Sequence, residues 1–160
     1  MQDAEAAVEA GAGSLGFVFW PKSPRFVDPY RARAIVWSLP AFVVPVGVFV
    51  NQAAEYVKGV AALVRLGAVQ LHGDEDVPYA AGIGFPVIKA VSVGEGVDAA
   101  RIDSWPRRMT LLLDAHDPVT RGGTGRTIDW TVAASIAARR RTLLAGGLTP
   151  DNVAAAVAAV

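Results

Sequence analysis

The hydrophobic residues of this chain fall into six short apolar runs, and each run ends abruptly in polar, glycine or proline residues. In chain order the runs are GFVFW, VVPVGVFV, GAVQL, PVIKAV, LLLDA and TLLA. Two stretches, Val43 to Val50 and Leu111 to Leu113, are apolar on consecutive positions, which is typical of strands covered on both faces. The pattern predicts six β-strands that begin near residues 16, 43, 67, 86, 109 and 142.

Segments with the spacing of amphipathic helices lie between these runs. The predicted helices are Asp3 to Gly11 with Asp3 as N-cap, Pro29 to Leu39, Gln52 to Leu66 ended by Gly67, Asp76 to Ala81, Gly96 to Ile102, Asp129 to Arg140, and a last helix with Thr149 as N-cap and Pro150 as its first residue. Successive strand starts are 19 to 33 residues apart, which suits a helical crossover and is too long for a hairpin. We therefore expect a parallel α/β protein, either a doubly wound open sheet or a barrel.

The composition and net charge of the chain limit the kinds of molecule that it is expected to bind. The chain has 160 residues, of which 52% are hydrophobic, so we expect a single domain over residues 1–160. Its formal net charge is zero, which gives no general attraction to nucleic acid or to anionic lipid. No apolar stretch approaches the roughly 20 residues of a membrane span, and the amino terminus lacks the basic start of a secretory signal. We expect a cytoplasmic protein that acts on a small molecule.

Chemistry-bearing residues follow several of the runs, where parallel α/β proteins place their active sites. The candidate site residues are Arg25, His72, Asp114, Gly146 and Gly147. The stretch from Gly122 to Thr127 has the wrong spacing for either a dinucleotide-binding motif or a P-loop. The chain has no cysteine, which excludes thiolate chemistry and disulfides. We expect neither a cofactor nor a metal.

Each candidate also has a purely structural interpretation. Asp114 emerges from an apolar run, where desolvation favours a protonated carboxyl, but an aspartate there also caps loops. His72 is equally explained as a hydrogen-bonded structural histidine, and Arg25 as a solvated loop arginine. Gly146 and Gly147 suit a tight turn, which is compatible with phosphate binding ahead of a helix. The arginines from 139 to 141 are interpreted as favourable charge at a helix carboxyl end.

Five motifs nevertheless occur together in a recognisable order. They are GFVFWPKSPR at 16–25, VQLHGDE at 69–75, LLD at 112–114, GGTGRTIDW at 122–130 and LAGGLTPDNV at 144–153. In order and approximate spacing they closely resemble the phosphoribosylanthranilate isomerase family of tryptophan biosynthesis, and the resemblance covers essentially the whole chain. It implies a (β/α) TIM barrel and an Amadori rearrangement of N-(5'-phosphoribosyl)anthranilate, an aldose-to-ketose isomerisation.

The resemblance also implies roles for the candidates. Asp114 matches the general acid that protonates the ring oxygen, and Arg25 matches the arginine that meets the anthranilate carboxylate. His72 matches a histidine lining the mouth of the barrel, while Gly146 and Gly147 match part of the phosphate site. The loop from Gly122 to Gly125 is interpreted as a lid or substrate-facing loop, with a flexible connector as the alternative.

Two departures from the family qualify this picture. Family members begin with a strand of the form Lys-Ile-Cys-Gly-Ile-Thr, whose cysteine is the general base, and end with a further strand that completes the phosphate site; neither is found here. We therefore expect a truncated barrel of about six strands with a leading helix, lacking the family's first and last strands. Such a three-quarter barrel would be inactive or impaired alone and would self-associate, or bind a complementing fragment, through open sheet edges.

Three functions remain open at this point. The first is a phosphoribosylanthranilate isomerase relative whose activity depends on complementation or on a replacement base. The second is a noncatalytic barrel fragment that acts as a self-associating structural module. The third is a different phosphosugar enzyme or binder on the same scaffold.

Overall fold

The computed structural model describes residues 1–93, 102–115 and 128–160. The strands are β1 (Ser14–Val18), β2 (Val44–Phe49), β3 (Ala68–Leu71), β4 (Val87–Val93), β5 (Thr110–Ala115) and β6 (Thr142–Leu144). The helices in these ranges are α1 (Gln2–Glu9), α2 (Pro29–Trp37), α3 (Ala54–Val64), α4 (Val77–Gly82), α5 (Trp130–Ala137) and α6 (Val153–Ala159). All six predicted strands are confirmed, and each begins within two residues of its predicted start.

The chain divides into two compact units, Met1–Val87 and Ile88–Val160. In the first unit, β2 pairs with β1 and β3, and Phe17, Gly47 and Val69 lie side by side. In the second unit, β5 pairs with β4 and β6. Each of these ladders is parallel, which confirms the predicted parallel α/β class. The assignment of residues 1–160 to one domain stays a prediction.

Aromatic packing around a glycine organises the core of the first unit. The rings of Phe19 and Phe49 stack with their centroids 5.2 Å apart, and both side chains are fully buried. A Cβ at Gly47 would lie 2.7 Å from the Phe49 ring and would overlap the Leu66 side chain. The glycine that interrupts the second apolar run therefore makes room for the aromatic pair.

Aspartates begin three of the helices. The carboxylates of Asp28, Asp76 and Asp129 accept hydrogen bonds from first-turn amides at 2.8–2.9 Å. The cap predicted at Asp3 is wrong, because α1 begins at Gln2 after Met1, with no side-chain cap. The predicted end of α3 at Gly67 is also wrong. The helix ends at Val64, and its C-cap is Arg65, which adopts a left-handed conformation (φ 63°).

The start predicted for the last helix is also wrong. The Asn152 side chain accepts a hydrogen bond from the Thr149 amide at 2.8 Å and donates one to the Gly147 carbonyl at 2.9 Å. These two bonds hold the intervening residues in a turn, so α6 begins only at Val153. Of the helix predicted from Gly96 to Ile102, residues 96–101 lie outside the described residues. No helix in the described ranges is long and apolar enough to cross a membrane.

Arg140 has a different role from the one predicted for the arginine cluster. Helix α5 ends at Ala137, and the Arg140 guanidinium donates to the carbonyls of four residues in the segment before β5: Ile102 at 2.7 Å, Trp105 at 3.3 Å, Pro106 at 3.1 Å and Met109 at 3.2 Å. Burial lowers the pKa of Arg140 from its ordinary value. The interpretation as helix-end charge is therefore wrong for this residue, which closes the loop before β5.

We expect Arg140→Met to lower the free energy of unfolding by about 2–3 kcal/mol, because hydrogen bonds from a charged donor each contribute about 1.5–3 kcal/mol and part of that is regained from water. Chemical denaturation measures the change. Arg141→Met is the matched control, since Arg141 is exposed, and should shift stability by less than about 0.5 kcal/mol. Equal denaturation midpoints for the two variants would contradict the assigned role.

Candidate active site

Arg25 lies in the loop that follows β1. Its backbone amide donates to the Ser23 hydroxyl at 3.1 Å, which shapes the loop as a turn. The exposed side chain lines a cleft of about 390 Å³ in the first unit, together with Phe17, Phe26 and Arg31. Asp3 lines the same cleft. A guanidinium can bind a planar carboxylate through two parallel hydrogen bonds, and the predicted role of Arg25 stays a prediction.

His72 immediately follows β3 in the same unit and is partly exposed. Its backbone amide donates to the Phe49 carbonyl at 2.8 Å, and its Nδ1 lies 2.9 Å from the Gln70 amide nitrogen. Nδ1 is therefore engaged with the Gln70 amide, and which of the two groups donates depends on the tautomer of the ring. Both interpretations of His72 fit, because the residue is held by hydrogen bonds and also lies at the carboxyl end of a strand.

A buried carboxylate joins the ends of β2 and β3. Glu75, only 8% exposed, accepts hydrogen bonds from the Asn51 amide at 2.7 Å and from the Gly73 amide at 2.9 Å. Asn51 adopts a left-handed conformation (φ 54°), and its side chain exchanges hydrogen bonds with Asp74 at 2.6 and 3.0 Å. We call Asn51, Gly73, Asp74 and Glu75 the strand-end clamp.

Gln52 extends this network to β1 and α4. Its side chain accepts from the Val50 amide at 3.0 Å and donates to the Phe19 carbonyl at 2.7 Å. The Tyr79 hydroxyl in turn donates to the Gln52 carbonyl at 2.7 Å. Burial raises the pKa of Tyr79, and the negative charge of Glu75 raises it further. The ends of three strands are thus tied to one helix.

The sequence analysis assigned no role to the strand-end clamp, to Gln52 or to Tyr79. The signal was present, since Asn51 and Gln52 directly follow the second apolar run and the motif HGDE follows the third. Polar residues at these positions were interpreted only as the ends of strands. Their pairing depends on contacts between segments 24 residues apart, which a linear pattern does not show.

The other candidates lie in the second unit. Asp114 is on β5, paired with Ser92 of β4, and is only 7% exposed. The next strand ends close by, because Ala145 donates its amide to the Leu113 carbonyl at 2.8 Å. Asp114 and Gly146 therefore belong to the carboxyl ends of neighbouring strands, β5 and β6. The burial of Asp114 agrees with the desolvation expected from the sequence.

Gly146 and Gly147 form the turn after β6. Both have positive φ angles, 85° and 64°, which explains why glycine is required. Because α6 begins at Val153, these glycines do not lead directly into a helix N-terminus, and the helix-dipole part of the phosphate argument is wrong. The tight-turn interpretation is confirmed, and phosphate binding by turn amides stays a prediction.

No group of three or more histidine or acidic residues suited to a metal ion occurs within residues 1–93, 102–115 and 128–160. The loop from Gly122 to Gly125 lies outside this range. Within each unit the described candidates gather at carboxyl strand ends, with Arg25 and His72 in the first unit and Asp114 with the two glycines in the second.

The sequence matches the profile described as N-(5'-phosphoribosyl)anthranilate (PRA) isomerase over residues 1–160. The chain belongs to this isomerase family. The family has a TIM-barrel type of fold, so the predicted resemblance and fold type are confirmed, and with them the link to tryptophan biosynthesis.

Individual relatives agree with the family assignment. The N-(5'-phosphoribosyl)anthranilate isomerase of Trichlorobacter lovleyi is 48% identical over 157 residues, covering 98% of this chain and 76% of that protein. The one from Geobacter metallireducens is 47% identical over 160 residues, covering 100% of this chain and 79% of that protein.

Solved structures of the isomerase family agree as well. The phosphoribosylanthranilate isomerase of Thermotoga maritima superimposes with a TM-score of 0.90 at 42% identity, covering 99% of this chain and 78% of that one. A further isomerase structure was solved in complex with reduced 1-(o-carboxyphenylamino)-1-deoxyribulose 5-phosphate. It superimposes with a TM-score of 0.86 at 40% identity, covering 99% of this chain and 77% of that one.

The raised pKa of Tyr79 predicts a pH-dependent contribution to stability. The folded state holds the phenolic proton more tightly than the unfolded state, so the contribution is complete below the ordinary tyrosine pKa of about 10 and is lost as pH rises through the raised value. We expect Tyr79→Phe to cost about 1 kcal/mol at pH 7 and progressively less above pH ~10. Urea denaturation across this pH range measures the change.

Tyr56→Phe is the control, since Tyr56 lies exposed on α3. It should leave stability nearly unchanged at pH 7. A cost of Tyr79→Phe that does not depend on pH would contradict the assignment.

Proposed function

We propose that this chain binds N-(5'-phosphoribosyl)anthranilate and promotes its Amadori rearrangement to the aminodeoxyribulose phosphate. The main support is the family match over residues 1–160, which includes the LLD motif that places Asp114 on β5. The relatives that match are isomerases, which does not favour the noncatalytic structural module. The ligand in the related complex carries the aromatic carboxylate and phosphate that this proposal requires.

The rearrangement needs an acid and a base. Asp114 acts as the acid that protonates the ring oxygen, which opens the ribose to a Schiff base, and a base then removes the C2′ proton. Asp114 is only 7% exposed and lies on β5, at the carboxyl-end side where parallel α/β proteins place catalytic groups. Arg25 binds the anthranilate carboxylate, His72 contacts the substrate, and the amides around Gly146 and Gly147 bind the phosphate.

The first experiment measures turnover by the purified chain through the change in anthranilate fluorescence. The family's cysteine base has no counterpart among these 160 residues, so impaired turnover stays a prediction that this assay decides. Product formation above the uncatalysed rate supports the proposal. Tight binding of a phosphosugar without the anthranilate ring, together with no turnover, would favour the third function instead.

We expect Asp114→Asn to lower the turnover measured for the unsubstituted chain by about 100-fold or more, because a general acid contributes roughly 10²–10⁴-fold. Affinity for the reduced product analogue should change far less, since the analogue requires no proton transfer. Asp151→Asn is the control, as Asp151 is an exposed aspartate of the second unit. Equal losses of turnover and of analogue affinity would contradict the acid role.

We expect Arg25→Ala to weaken binding of the reduced product analogue by about tenfold or more, since a charge-assisted hydrogen bond contributes about 1.5–3 kcal/mol. Isothermal titration calorimetry measures this affinity. Lys22→Ala is the matched control, because Lys22 is an exposed cation of the same loop. If Arg25→Ala also weakened ribose 5-phosphate, which has no carboxylate, the assigned contact would be wrong.

Self-association through sheet edges also stays a prediction. In the first unit, β1 pairs with β2, and near the carboxyl end of β1 the Val27 amide donates to the Val18 carbonyl at 2.9 Å. That bond covers the end of the strand, so pairing with another chain would use the earlier part of β1. Sedimentation velocity over a range of concentrations tests this, and a single monomeric species throughout would contradict it.

A further inference from the structure

We propose that Glu75 is a positioning residue whose carboxylate sets His72 for contact with the substrate. This inference rests on the proposed function, in which His72 contacts the phosphoribosylanthranilate. Glu75 lies between β3 and α4 and accepts hydrogen bonds from backbone amides. Its effect would reach the ligand through the strand-end clamp defined above.

The geometry of the carboxylate is the first observation. One oxygen accepts from the Asn51 amide at 2.7 Å and the other from the Gly73 amide at 2.9 Å, so Glu75 bridges two loops with both oxygens. Glu75 is only 8% exposed, and burying a charge is costly unless hydrogen bonds compensate for the lost water. Charge-assisted bonds of this kind are short and strong, and they fix backbone position closely.

The link to His72 is direct. Gly73 is the next residue, so its amide is part of the peptide unit that begins at the His72 carbonyl, and Glu75 holds that peptide on one side. On the other side, the His72 amide is bonded to the Phe49 carbonyl at 2.8 Å. The ring is further oriented by Gln70, 2.9 Å from Nδ1. The backbone on both sides of His72 is therefore held by hydrogen bonds, and Glu75 supplies the one at the Gly73 amide.

The strand-end clamp is closely packed, which restricts the residues that can occupy positions 73 and 51. A Cβ at Gly73 would lie 2.7 Å from the Asn51 side-chain Cγ and 2.8 Å from the Asn51 amide nitrogen, so only glycine allows the two loops to approach. Asn51 adopts a positive φ at this approach, and asparagine tolerates that conformation better than most residues. A side chain at position 73, or a residue at position 51 that disfavours a positive φ, should therefore disturb the same peptide.

The test compares Glu75→Gln with Glu55→Gln, an exposed glutamate of the same unit whose side chain is 87% accessible. Glutamine keeps the size of Glu75 but replaces one acceptor oxygen with a donor that faces an amide. We expect the dissociation constant of the reduced product analogue to rise about 5- to 20-fold in Glu75→Gln and not in Glu55→Gln. KM should rise similarly, whereas kcat should change little.

NMR of His72 provides the readout that does not depend on the function. We expect its imidazole signals, assigned with His72→Gln, to shift in Glu75→Gln, and the Gly73 amide to exchange faster with solvent. Asn51→Gly and Asn51→Ala both remove the hydrogen bonds between the Asn51 side chain and Asp74, but glycine permits the positive φ, so Asn51→Gly should retain more of the analogue affinity than Asn51→Ala. All measurements are made below the melting range, where circular dichroism shows each variant folded.

The outcomes separate the two proposals. If the unsubstituted chain does not bind the analogue, the proposed function fails, while a shift of the His72 signals in Glu75→Gln still supports positioning. If the chain binds the analogue and Glu75→Gln leaves both affinity and the His72 signals unchanged, the positioning role is overturned. An equal effect of Asn51→Gly and Asn51→Ala would also overturn it, since the role depends on the conformation of Asn51.

Discussion

Backbone amides and carbonyls at the ends of the parallel strands need partners, and long polar side chains from elsewhere in the chain provide them. In the first unit Glu75 accepts two amides, and Gln52 bonds the Phe19 carbonyl. In the second unit Arg140 donates hydrogen bonds to four carbonyls, and Asn152 closes the turn after β6. Because an unpaired buried backbone group is costly, these side chains determine the course of the loops on which the candidate residues lie.

The difference between locally defined elements and these long-range hydrogen bonds explains what the sequence could predict. Strands are defined by local apolar runs, and all six were located from them. Arg65, Arg140 and Asn152 behave differently because their structural roles depend on partners or conformations that no local pattern specifies. The carbonyls bound by Arg140 lie more than 30 residues before it in the chain, so its position next to other arginines suggested helix-end charge instead.

For the candidate site residues too, the sequence predicted local geometry but not the effects of individual side-chain hydrogen bonds. Asp114 and the two glycines were identified from motifs whose local geometry agrees with the structure: a buried carboxyl on β5 and positive φ angles after β6. The start of α6 was misplaced because Thr149 and Pro150 have the composition of a helix start, yet Asn152 bonds the Thr149 amide and holds a turn there. A single side chain thus overrides the local preference.

The hydrogen bonds of His72 also bear on the base that the rearrangement requires. Nδ1 lies 2.9 Å from the Gln70 amide, so it is engaged in a hydrogen bond in either tautomer of the neutral ring, and the direction of that bond depends on the tautomer. A base must present a lone pair to the C2′ hydrogen. For His72 that lone pair would be on Nε2, which requires the ring proton to lie on Nδ1 and to be donated to the Gln70 amide oxygen; with the proton on Nε2, the C2′ proton would have to be removed by another group.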